Sequence, residues 1–230
     1  MEKRKIILLF LDLEGTILRE EDGLYDDEEM YHFLEQIDKL QKNTNGQVKI
    51  HLVSPVYKDV MEKVMDRIDM NIHSYNRIHS SRGYIKEIEG AACYPEEGVQ
   101  SEEFEGDRIV PLKRPINSQD FDTARYGKAH YVRNWYEAYD ENVYTDIGMC
   151  IYCGNGRNDI AAIDYVNSRK NGFAVCPNNS RTDAKKRAFF VSEKKDLVGI
   201  TEGIGAINER IEKRNVEQAI NTKEAEEEQK

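Results

Sequence analysis

An apolar run, Ile6 to Leu11, ends abruptly in Asp12-Leu13-Glu14-Gly15-Thr16. Carboxylates at i and i+2 point to the same side of an extended chain. A turn at Gly15 can then aim both at one site. Acids held this close repel each other unless a cation lies between them, and hard carboxylate oxygens suit Mg2+. An ionised Asp12 can attack phosphorus directly and form an aspartyl-phosphate. Glu14 can protonate the leaving oxygen. The ordinary alternative is a pair of acids opening a solvated loop.

Three other places carry residues of compatible chemistry. Val53-Ser54-Pro55 ends a second apolar run, and a hydroxyl beside a helix N-terminus is a natural phosphate contact. Ser54 is equally suited to cap a helix that opens at Pro55. Lys128 follows Gly127 at the start of a helical pattern, where an ammonium can neutralise phosphate and attacking carboxylate together. Alone, it reads as a surface lysine. Cys153-Gly154-Asn155-Gly156-Arg157-Asn158-Asp159 follows a third apolar run. Its glycines admit close backbone approach, and Asn155 and Asp159 offer oxygen ligands to a hard cation. A Gly-Asn turn with an aspartate helix cap is the plain alternative.

Other chemistries fit less well. A dinucleotide fingerprint would need glycine where Asp159 stands, and no G-x-x-x-x-G-K-[ST] occurs. Of four cysteines, Cys150 and Cys153 form a C-x-x-C pair, but no second pair stands at zinc-site spacing. Both lie in an apolar stretch and read as buried strand residues.

Elements must position these groups. Lys5 to Leu11 predicts a central strand. Asp26 to Lys42 has apolar residues at Met30, Phe33, Leu34, Ile37 and Leu40, which is helical spacing, with Asp26 and Asp27 as caps. Val48 to Val53 predicts a strand, and Pro55 to about Asp69 a helix. Asn71 to Arg125 is irregular, with β-like runs at Gly83 to Ile88 and Arg108 to Leu112. Then follow a helix from Gly127 to Tyr139, a strand from Gly148 to Cys153 and a helix from Asn158 to Asn167. A strand from Gly172 to Val175, a short helix from Thr182 to Ala188 and a short strand from Phe189 to Val191 come next. The last helix runs from Gly199 to about Ala219, before a Glu/Lys-rich tail. Alternating strands and helices predict an α/β fold with a parallel sheet, which binds ligands at the carboxyl ends of its strands.

The chain has 230 residues, 39% hydrophobic and 33% charged, which suits one globular domain with a modest insert. A net charge of −10 disfavours stable nucleic-acid binding. No apolar run reaches the roughly 20 residues of a membrane span. The run at Ile6 is too short for a signal peptide, so a cytoplasmic protein without membrane attachment is expected.

The order Asp-x-acid-Gly-Thr, Ser, Lys, Gly-Asn-Gly-x-Asn-Asp resembles the haloacid dehalogenase (HAD) superfamily, whose motifs occur in that order at the ends of parallel strands. The resemblance covers roughly residues 5–70 and 125–205. Gly172-Phe-Ala-Val-Cys-Pro-Asn-Asn looks like the matching segment of the Cof-type branch. It implies a three-layer Rossmann-like parallel sheet as a HAD-like core, residues 1–70 and 126–220. A small α+β cap would occupy 71–125, and a charged tail 221–230. It further implies an Mg2+-dependent phosphatase. Asp12 would be the nucleophile and a metal ligand. Glu14 would serve as acid and base and ligate the metal through its carbonyl. Ser54, Lys128 and Thr16 would hold the phosphoryl group, and Asp159 and Asn155 would complete the metal site.

Two residues depart from the pattern. Glu14 stands where Asp is usual, although enolase-phosphatases have a similar Asp-x-Glu-Gly-Thr. Asn155 stands where Cof-type proteins usually have Asp, which removes one negative charge from the metal site. A small cap would leave the cleft open to larger phosphate esters, with Lys113, Arg114 and Arg125 as basic candidates. A phosphotransferase is a close variant. A different class is a catalytically weakened member that binds a phosphate ligand, or a protein through its C-terminal helix. A receiver-type domain is disfavoured because its accepting Asp lies on a later strand.

Overall fold

The computed structural model describes residues 3–79, 85, 88–94, 110–111 and 127–227. β1 (Arg4–Leu11) lies at the centre of the sheet. Its apolar run is continuous because both faces are covered. Ile7, Leu9 and Leu11 pack into one core, and Ile6, Leu8 and Phe10 into the other. β1 pairs in parallel with β2 (Gln47–Tyr57) and with β5 (Thr145–Cys153). β3 (Glu89–Tyr94) lies beyond β2, while β6 (Gly172–Cys176) and β7 (Phe190–Val191) lie beyond β5. These pairings are parallel too, and among the described residues only the short β4 (Val110–Pro111) runs antiparallel, against β3.

Sequence order therefore runs outward from β1 on one side and outward from β5 on the other. The gap between β1 and β5 is the point where strand order reverses. In open α/β sheets, ligands bind outside the carboxyl ends of the strands at such a point.

Three helices cover the Leu9 face: α1 (Asp27–Thr44), α2 (Lys58–Ile78) and α6 (Asp196–Glu227). Three shorter ones lie on the Phe10 face: α3 (Gly127–Asp140), α4 (Ile160–Asn167) and α5 (Thr182–Lys185). The fold is thus the three-layer α/β arrangement expected. α1 starts where anticipated, with the Asp26 carboxylate accepting from Glu28 N at 2.7 Å. Trp135 is fully buried on α3.

Several boundaries differ. Pro55 does not open a helix: β2 continues to Tyr57, and α2 starts at Lys58. Proline fits there because pairing with β1 stops at Leu52 and the register with β3 shifts after Ser54. α2 runs on to Ile78, because Met61, Met65, Ile68, Ile72 and Tyr75 form one buried stripe. The run expected to be β-like at Gly83 to Ile88 lies, apart from Ile85 and Ile88, outside the described residues, and a strand that was not expected, Glu89–Tyr94, joins the main sheet. Residues 71–78 and 89–94 thus belong to α2 and the sheet. Apart from Ile85, Ile88 and β4, the rest of the expected cap, with Lys113, Arg114 and Arg125, lies outside the described residues. The tail expected from residue 221 is helical to Glu227. Among the described residues, no helix is long and apolar enough to cross a membrane.

Cys150 and Cys153 are buried on β5, and they enter opposite cores, Cys150 beside Leu8 and Cys153 beside Leu11. A shared metal or a bond between them is excluded by that alternation. Burial pushes both thiols well above their ordinary value, so they are inert packing residues.

Candidate functional site

The pairing of β1 with β5 extends one residue past Leu11, since Asp12 N donates to Cys153 O over 2.9 Å. That bond fixes the backbone of Asp12 at the strand end. Asp12 Oδ1 accepts from Leu13 N at 2.8 Å and lies 2.7 Å from Lys128 Nζ. Lys128 is the second residue of α3 and is 3% exposed. Its ammonium also donates to Asp159 Oδ1 over 2.7 Å. Asp12, Lys128 and Asp159 are therefore one buried chain of charges.

Asp159 is fully engaged. Its Oδ1 accepts from Lys128 and from the Tyr152 hydroxyl, the latter at 2.6 Å. Its Oδ2 accepts from Asn155 N at 3.0 Å and Gly156 N at 2.7 Å. The turn is shaped around this carboxylate. A Cβ at Gly154 would lie 2.6 Å from Asp159 Cγ, so glycine is required there for space.

Two carboxylates share one ammonium away from water. Burial pushes Asp12 up to about 7 against the pull of Lys128, and the charge of Asp159 adds to the rise. Burial alone would lower the Lys128 pKa, but its two carboxylate partners reverse this and raise it. Lys128 is accordingly a fixed positive charge.

Thr16 and Ser54 are each 0% exposed, and neither hydroxyl has a hydrogen-bond partner among the described residues. A buried hydroxyl left unpaired costs about 1–3 kcal/mol. Ser54 lies two residues beyond Leu52, the residue of β2 paired with Leu11. Thr16 lies in the loop that follows Asp12. Ser54 is four residues before α2, not beside its first turn as expected.

The loop after Asp12 turns on itself. The amides of Thr16, Ile17 and Leu18 all donate to Leu13 O, and Gly15 N donates to Leu18 O at 2.7 Å. Among the described residues, none of the loop's backbone bonds uses the Glu14 carbonyl. The Glu14 side chain is exposed. Gly15 adopts φ +67°, and a Cβ there would lie 2.0 Å from Asn155 Nδ2 and 2.7 Å from Glu20 Oε1. Asn155 Nδ2 donates to Glu20 Oε1 over 3.3 Å. From the other side, Asn179 Nδ2 donates to Gly15 O at 2.9 Å and to Asp196 Oδ1 at 2.8 Å.

The structure thus brings Asp12, Lys128 and Asp159 into direct contact, and places Asn155 against the loop that carries Glu14 and Thr16. Sequence reasoning missed Tyr152, Glu20 and Asn179. Tyr152 had one available signal, a hydroxyl within an otherwise apolar strand two residues before Gly154. Glu20 had none.

Among the described residues, no group of three or more His, Cys, Asp or Glu is placed to hold a metal ion. Asp159 in particular has both oxygens committed to other donors. Among the described residues, Asp12 Oδ2, the Glu14 carbonyl and the Asn155 amide oxygen take no part in these bonds. Such a set suits a hard cation in donor type but contains one carboxylate only.

No protein-family model matches the chain, and no curated protein does. Solved structures give distant likenesses. A haloacid dehalogenase-like hydrolase from Bacillus subtilis is 18% identical, covering 90% of each chain with a TM-score of 0.47. The 3-deoxy-D-manno-octulosonate 8-phosphate phosphatase from Moraxella catarrhalis, solved with magnesium, phosphate and KDO, is 13% identical. It covers 95% of this chain and 92% of its own, with a TM-score of 0.45. A Thermoplasma acidophilum protein is 15% identical, covering 92% of this chain and 99% of its own, also with a TM-score of 0.45.

Proposed function

We propose that this chain is a phosphatase of the haloacid dehalogenase kind, hydrolysing a small phosphomonoester through an aspartyl-phosphate on Asp12. The observation that carries the reading is the buried Asp12–Lys128–Asp159 chain at the end of β1, together with two buried hydroxyls that have no partner among the described residues: Thr16, in the loop after Asp12, and Ser54, two residues beyond the β1–β2 pairing. A phosphoryl group supplies what that arrangement lacks: acceptor oxygens for the hydroxyls and an anion for the ammonium.

In this reading an Asp12 oxygen attacks phosphorus, an Asp12 O–P bond forms and the bond to the leaving oxygen breaks. Glu14, exposed at the mouth, gives that oxygen its proton. Glu14 then takes a proton from water, whose oxygen displaces Asp12 and releases phosphate. Ser54 and Thr16 donate to phosphoryl oxygens, and Lys128 neutralises the charge that gathers between nucleophile and phosphate. Asp159 holds Lys128 in place and is reassigned here from the metal to that task, because its oxygens already accept from four donors.

Asp12, the Glu14 carbonyl and Asn155 would hold Mg2+. The ion would supply positive charge that keeps Asp12 ionised and draws the phosphate in. The phosphate-ester reaction would belong to the cytoplasm, in keeping with the buried free thiols of Cys150, Cys153 and Cys176 among the described residues.

One observation favours a second reading. With Asn155 uncharged and Asp159 engaged by Lys128, the cation site has a single carboxylate, which fits a weakened member that binds phosphate without turnover. A screen over an aryl phosphate, sugar phosphates and nucleotides separates the two. Phosphate release that needs Mg2+ and vanishes in Asp12→Asn supports hydrolysis. Phosphate or phosphate-ester binding with no release from any substrate supports the second reading.

A further inference from the structure

We infer that Glu20 supplies the second negative charge of the cation site at Asp12, making good the charge that the amide of Asn155 lacks. The inference rests on the phosphatase reading and deepens it.

Position is the first argument. Glu20 Oε1 accepts from Asn155 Nδ2, and both atoms crowd the face of Gly15, at 2.7 Å and 2.0 Å from where its Cβ would stand. The acid therefore reaches back over the loop to the turn that follows β5. It does so across Gly15, which has no side chain. Its hydrogen bond spends the Asn155 nitrogen and leaves the amide oxygen as the atom available to a cation.

Charge is the second. Asp12 and Asp159 with Lys128 carry one net negative charge, and a divalent ion is left half balanced. A carboxylate hydrogen-bonded to a ligating amide raises that ligand's donor strength and adds the missing charge at close range. The neighbouring acid, Asp196, is held by Asn179 and is less available for this. The third argument is independent of the acids. Thr16, next to Gly15, is fully buried and its hydroxyl has no partner among the described residues, as expected beside a ligand that the fold is built to receive.

The test measures Mn2+ affinity of the full chain by titration calorimetry or by the free-ion paramagnetic resonance signal. Wild type, Glu20→Gln, Asn155→Asp, the double variant and Asp12→Asn are compared after each is checked for native circular dichroism. Glu20→Gln weakens Mn2+ binding about 10- to 100-fold. Asn155→Asp tightens it, and in the double variant restores affinity close to wild type. Equal affinity in wild type and Glu20→Gln, with loss in Asp12→Asn, overturns the role of Glu20 and leaves the phosphatase reading standing. A wild type that binds no Mn2+ overturns it as well. Failure of phosphate release from every substrate, with the Mn2+ series as expected, overturns the phosphatase reading alone.

Discussion

Tyr152 donates its hydroxyl to Asp159 Oδ1 over 2.6 Å, the same oxygen that Lys128 holds at 2.7 Å. Burial and the adjacent Asp159 charge push the phenol well above its ordinary value, so it stays a donor at neutral pH. Tyr152 thus fixes the carboxylate that fixes the lysine beside the proposed nucleophile. Tyr152→Phe keeps the ring and removes the bond. We expect kcat to fall about tenfold with KM nearly unchanged, since a misplaced Lys128 acts on the reacting groups. Stability falls by about 1 kcal/mol in urea titration. Loss of stability with kcat unchanged would make Tyr152 a packing residue only.

Lys128→Met leaves Asp12 and Asp159 facing each other without a cation. Breaking a buried pair costs about 3 kcal/mol or more at neutral pH. The sign of its pH dependence is opposite to that of an ordinary ion pair. Asp12, already raised by burial, loses the pull of Lys128, so its pKa lies further above that of the unfolded chain and the folded state gains a proton as pH falls. Urea midpoints of the variant should approach wild type between pH 8 and pH 5, and a constant gap would contradict this.

His51 gives an acid limb unrelated to the site. It is 1% exposed, stacked on Phe10 at 5.0 Å and packed against Trp135 at 4.2 Å. Burial lowers its pKa to about 3, with Lys49 adding to the effect. Glu89 Oε2, at 3.9 Å, is beyond hydrogen-bond reach. The neutral ring stabilises the fold fully above about 6.5 and progressively less as pH falls toward 3, because the unfolded chain takes the proton first. The limit is about 1.4 kcal/mol per pH unit. His51→Phe should flatten the stability curve between pH 6.5 and pH 5 by about 1 kcal/mol. Parallel curves would show that His51 charges within the fold.

Gly15→Ala tests the close approach of the two loops. The left-handed backbone costs a substituted residue about 1–2 kcal/mol. The new methyl must also push Asn155 and Glu20 aside. We expect a lower melting temperature and weaker Mn2+ binding together. A lower melting temperature alone would separate the turn from the cation site.

Legibility in the sequence followed distance along the chain. β1, α1 and the turn after β5 were readable because their signals are local: an apolar run ending at Asp12, helical spacing from Met30 to Leu40, glycines around Asn155. Pro55 misled because proline fits a strand end whose neighbour has stopped pairing as well as it fits a helix start. α2 runs beyond the expected end at about Asp69, because Ile72 and Tyr75 continue the buried stripe. β3, with Gly90 and two alanines, has little apolar bulk and is defined by pairing with β2. At the site, residue types were readable but partners were not. Asp159 looks like any oxygen ligand until donors from α3, β5 and the turn converge on it. Glu20 is an exposed acid whose meaning depends on a contact with Asn155 across the fold.

Covalent capture of the intermediate tests the central proposal most directly. Turnover of an aryl phosphate with Mg2+ is quenched in acid and treated with borohydride, which reduces an acyl phosphate and leaves a free carboxylate untouched. The phosphatase reading predicts homoserine in place of aspartate at position 12, seen by peptide mass spectrometry and absent without substrate. Steady phosphate release with Asp12 unmodified under these conditions, and undiminished in Asp12→Asn, would contradict it.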